Sequence, residues 1–180
     1  MNMDIKINLK HIEVGSELIE LVFGETTIRF YATYVGVEPL STLIKSVVSL
    51  NDRAAENVDY AKFHIVWHSE PGFLKLNFRK NAITDIVVLK TESDTRTLHN
   101  LEIHFNFNEY RNAVIKESLR VLKEYGLKGF NENWCDGDNV FPLNSLLTAL
   151  GTTCTQMPDS WVVKSDIIAE LEALLAFLKK

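Results

Sequence analysis

Only two cysteines, Cys135 and Cys154, occur among the 180 residues. A chain of this length buries enough apolar surface to fold without a staple, so free thiols in a reducing compartment, the cytoplasm, are expected instead of a disulfide framework. The eight glycines form neither G-x-G-x-x-G nor the loop ending in Gly-Lys-Ser/Thr. Nucleotide binding through those phosphate-cradling motifs is therefore excluded. No G-x-S-x-G elbow marks a nucleophilic serine. No window approaches about 18 uncharged apolar residues, and Asp4 interrupts the start of the chain where a secretory signal needs an unbroken apolar stretch, so neither membrane insertion nor export is expected. Basic residues are also in short supply. Nineteen Lys and Arg against 24 Asp and Glu give a net charge of -5, which weighs against a nucleic-acid partner.

What remains is an ordinary globular composition, 46% apolar and 24% charged, and the length suits one domain over 1–180. Residues 4 to 10 alternate Ile5, Ile7, Leu9 with Lys6, Asn8, Lys10, the period of a strand with one wet face. Residues 17 to 23, the Gly24-Glu25 turn and the β-branched run TTIRFYATYV add two antiparallel strands. The pattern then changes to helical spacing after Glu38-Pro39, with proline suited to a first turn. Four more strands are predicted, over 61 to 68, 73 to 79, within ITDIVVLK and over LEIHFNF, joined as a meander by short turns such as Glu70-Pro71-Gly72. From about 107 the chain reads as helical. One helix ends at Gly126, another starts at Pro142, and the last starts near Ser165-Asp166, with a polar loop over 127 to 140. The expected fold is α+β, a mostly antiparallel sheet of about seven strands with about four helices packed mainly on one face. The other face would be open and would carry His64, Lys75, Asn77, Glu102 and His104.

The chemistry-bearing residues are dispersed in this scheme. His64, His68 and His104 with Glu102 offer zinc-type ligands, but the strands of His64 and His104 are three steps apart, about 14 Å at roughly 4.8 Å per step, too far for one ion. The loop Asn133 to Asn139 is dense in polar groups, yet its acids lack the calcium-loop register. Cys135 has no Cys-x-x-Cys partner to activate it. Among the carboxylates, Glu13, Glu17, Glu20 and Glu25 near the first hairpin, and Glu70, Asp85 and Glu102 near the later strands, read as solvent-facing strand or turn charges. No cofactor or metal is expected.

Aromatic rings offer a better route to binding. Trp67 is in phase with Phe63 and Ile65 and belongs to the core, whereas Tyr31 and Phe73 fall opposite the core series of their strands. The expected function is a non-enzymatic, soluble, protein-binding domain that uses its acidic surface or its open sheet face. Net negative charge favours a basic partner, as for an inhibitor or immunity-type protein. The expected binding surface takes Tyr31, His64, His68, Glu70 and Phe73, then Glu102 and His104, and from the polar loop Trp134, Asp136 and Asp138. Two alternatives stand beside it: a small hydrolase-like enzyme with a pocket assembled from loops, marked by shifted pKa values, and a structural homodimer joined through an edge strand or the aliphatic last helix.

Overall fold

The computed structural model describes residues 3–13, 16–33, 38–52, 60–70, 72–94, 100–133, 146, 149–151, 154–156, 163–165 and 167–179. Three strands open the chain, β1 (Ile5–Glu13), β2 (Ser16–Phe23) and β3 (Thr26–Thr33), paired antiparallel in the order β1-β2-β3. The tight return between β2 and β3 needs a residue with positive φ, and Gly24 supplies it at 58°. Helix α1 (Pro39–Asp52) follows, starting at the proline as its sequence predicts. A second antiparallel sheet is built by β4 (Tyr60–His68), β5 (Phe73–Asn81), β6 (Ile86–Ser93) and β7 (Glu102–Asn106), in sequence order. Helix α2 (Phe107–Asn133), the short ladder of β8 (Cys154–Gln156) with β9 (Val163–Ser165), and helix α3 (Ile167–Leu178) complete the described elements.

The α+β class and the antiparallel pairing agree with the sequence, but the seven long strands form two sheets of three and four, not one. Short turns force neighbours to pair, and the connection from β3 to β4 is not short, because α1 lies within it. β3 and β4 touch without sharing a ladder. The described residues contain three helices and not four. The helix expected from Pro142 lies outside them except for Leu146 and residues 149–151. The helices also serve both sheets and not one face of a single sheet, since α1 packs on β4 and α2 on β1 and β7. Gly126 lies inside α2 and does not end it. An interior glycine costs about 1 kcal/mol relative to alanine, and no proline follows in 127–133 to break the hydrogen-bond ladder. The region beyond 107 is interrupted by β8 and β9, so it is not wholly helical. No helix among the described residues is long and apolar enough to cross a membrane.

The two sheets and both long helices share a hydrophobic core. Phe30 of β3 stacks on Trp67 of β4 at 6.3 Å between centroids, and Phe23 of β2 on Phe105 of β7 at 5.0 Å. Trp67 is fully buried, as expected, and its indole N–H is satisfied by the Thr42 hydroxyl at 3.0 Å. Tyr110 of α2 is equally buried and exchanges a 2.7 Å hydrogen bond with Ser46 of α1. Helix α2 also grips β1 at Leu9, whose N–H donates to Glu117 at 2.6 Å and whose carbonyl accepts from Arg120 at 2.9 Å.

Candidate functional site

With Ala61, Ile65, Leu74, Leu76, Phe78, Val87, Leu89, Ile103 and Phe105 turned to the core, the alternating residues of β4–β7 emerge on the opposite face. Strand register lines them up in rows. One row runs His64, Asn77, Lys90, Glu102, and the next runs Lys62, Arg79, Val88, His104. A shallow groove of about 840 Å³ lies over the two rows and touches both sides of the β4–β5 pair. On its β6–β7 side the charges are matched. Lys90 Nζ lies 2.9 Å from Glu102, His104 Nε2 lies 2.9 Å from the other oxygen of Glu102, and Lys75 meets Glu92 at 3.4 Å. The lysine and the histidine beside it hold the Glu102 carboxyl below the usual carboxylate range.

On the β4–β5 side there is no such matching. Lys62 and Arg79 stand directly opposite one another, and neither has a carboxylate partner among the described residues. The Arg79 guanidinium lies 3.6 Å above the ring of Tyr60, which is 41% exposed. Among the described residues of β4–β7, Lys62, Lys75, Arg79 and Lys90 thus share the face with two carboxylates, Glu92 and Glu102. The acid excess of the whole chain does not extend to this surface.

The expected binding residues separate into three groups. His64, His68, Phe73, Glu102 and His104 all belong to the open face, with His68 paired to Phe73 beside the turn that carries exposed Glu70. Tyr31 is exposed but sits on the other sheet, bonded to Ser16 at 2.8 Å, so it does not join them. Trp134, Asp136 and Asp138 lie outside the described residues. His64 and His104 are on strands three steps apart, and no cluster of three His, Cys, Asp or Glu side chains poised for a metal occurs among the described residues.

A second concentration of charge is sealed in the interior. Glu17, expected at the surface, points inward from β2 in phase with Ile19, Leu21 and Phe23, and is 0% exposed. Burial pushes its carboxyl well above the usual carboxylate range, and the charges of Glu38 and Glu117 push the same way. Glu38 lies beside it and favours its protonated form, while neither oxygen of Glu17 accepts a hydrogen bond from a donor among the described residues. Glu38, also fully buried, caps α1 by accepting the backbone N–H groups of Leu40 and Ser41. Burial raises it to about 7 against the opposing pull of those hydrogen bonds and of Lys45. Glu117 is spoken for by Leu9 and Arg120. These are the displaced acid strengths that a hydrolase would use, but Glu17 and Glu38 have no surface at which to meet a substrate.

The sequence carried signals for this corner. Glu117 falls between Val114 and Val121 on the packing stripe of α2, and Glu38 directly precedes the proline that starts α1. Lys62 becomes visible only when the β4–β5 register is known. Comparison with known proteins adds nothing to either region: no family model, no curated protein and no solved structure matches the chain.

Proposed function

We propose that the chain is a non-enzymatic protein-binding domain of the cytoplasm that docks its partner on the open face of β4–β7. The observation that carries this reading is the registered field of polar side chains around the groove, backed by a rigid, fully buried core layer. Four strands give about 14 Å between the outer axes and the nine residues of β4 and of β5 give about 30 Å along that pair, a footprint suited to a loop or extended segment of another protein. Inhibition of the bound partner, as by an immunity-type protein, is the specific activity that such docking would carry.

Asn77 lies at the middle of the groove, and a tryptophan there would fill it while respecting strand preference. The test is stoichiometric capture of a partner, identification of that partner, and rebinding with purified components. The expected result is binding by the native chain and loss of binding by Asn77→Trp at unchanged melting temperature. Recovery of no partner at low salt, or equal rebinding by both forms, overturns the reading.

A further inference from the structure

The Lys62–Arg79 pair is an unfavourable arrangement in the free protein. Like charges directly opposite across two strands repel, and no carboxylate among the described residues pairs with them. The same face shows that relief is available in this fold: Lys75, on the same strand as Arg79, and Lys90, on the next strand, are both matched by glutamates of β6 and β7. The chain has 24 acidic residues, none of which is spent on Lys62 or Arg79 among the described residues. Arg79 is also poised for a ligand. Its guanidinium carbon lies 3.6 Å from the centroid of the Tyr60 ring, a cation–π contact that restrains the group, and a guanidinium can offer a carboxylate a fork of two parallel hydrogen bonds. Beside it, Asn77 and His64 add polar groups that line the groove.

We propose that Lys62 and Arg79 form the anchor point for an acidic segment of the partner protein, with one of its carboxylates held in two-point contact by Arg79 and neutralised by Lys62. The inference rests on the docking reading above and makes the partner's contacting surface acidic. A partner of basic character would have to bind elsewhere on the molecule, where the acid excess lies.

The probe is a short poly-glutamate peptide added to the intact chain at low salt and followed by NMR at the Arg79 side chain and the Tyr60 ring. Inorganic phosphate and a single-stranded RNA oligonucleotide serve as parallel arms. Saturable binding of the peptide at these two residues is expected, weakening about ten-fold or more in Lys62→Glu/Arg79→Glu and falling with added salt. Arg79→Lys should recover only part of it, because a lysine keeps the charge and loses the fork. No saturable peptide binding, binding undiminished in the double variant, or binding of phosphate or RNA with the peptide silent overturns the inference. The two proposals fail separately. A partner that Asn77→Trp releases but Lys62→Glu/Arg79→Glu still holds sustains docking on this face and removes the acidic anchor. A partner that neither variant releases removes docking on this face altogether.

Discussion

The open face of β4–β7 and the corner between β2, α1 and α2 hold the same kind of side chain under opposite conditions. On the face, Glu102 sits between Lys90 and His104 with water at hand, and its acidity is enhanced. In the corner, Glu17 is shut off from water and accepts no hydrogen bond from a described donor, and its acidity is suppressed. Residue type does not separate them. Phase does: Glu102 alternates out of step with Ile103 and Phe105, whereas Glu17 is in step with Ile19 and Leu21. A shift of one position along a strand therefore decides whether a carboxylate is a surface contact or a burden on the core.

The sharpest way to test that contrast is to remove the corner acid that ties α2 to β1. Glu117→Leu leaves the buried Leu9 N–H without its acceptor and takes one of its acceptors from Arg120, which keeps Glu124 and the Leu9 carbonyl, and should destabilise the fold by about 3 kcal/mol in urea titration. A loss below about 1 kcal/mol would show that Glu117 does not organise the corner.

Acidity gives the next largest effect. Burial lifts Glu38 from its ordinary 4.5 to about 7, so between those values the unfolded chain gives up a proton that the folded chain keeps. The stabilising contribution of the neutral form is whole below pH 4.5 and is lost by the time the pH has passed 7. The amount is roughly 3 kcal/mol. Glu17 acts in the same direction. Melting curves of the native chain should therefore weaken across this range, with a shallower decline in Glu38→Gln, which retains an acceptor for the cap. A native profile flat from about pH 5 to about pH 8 would contradict the assignment.

Glu17→Met should stabilise the protein, by about 2 kcal/mol at neutral pH, because it replaces a buried carboxyl that accepts no hydrogen bond from a described donor with an apolar group of similar length. Chemical denaturation measures it, and a loss of stability would mean that the carboxyl has a partner after all. The smallest effect is expected on the face. Glu102→Gln should leave the melting temperature unchanged within measurement, since its two ion pairs are solvent-exposed. A large drop there would erase the distinction between the two regions.

Much of the architecture was legible because alternation and turn chemistry are local. The strands, the start of α1 at Pro39 and the burial of Trp67 follow from residues within a few positions of one another. The break between β3 and β4 was not legible, because sheet membership depends on where α1 carries the chain and not on either strand's own pattern. The corner was legible in part. Glu17 and Glu117 each share the phase of apolar neighbours, but their convergence with Glu38 is a contact among three elements distant in sequence. For the face, the turn between β4 and β5 was readable and its register was not. Once His68 is set against Phe73, Lys62 must stand against Arg79.

The grip of α2 on Leu9 has a consequence for self-association. Among the described residues β1 pairs only with β2, so its far side is a margin along which a stray strand from another molecule could add and then serve as a template for the next. At Leu9 both peptide groups are already engaged by Glu117 and Arg120. An incoming chain would meet an occupied docking rung, and polymer growth from this border is interrupted at its centre.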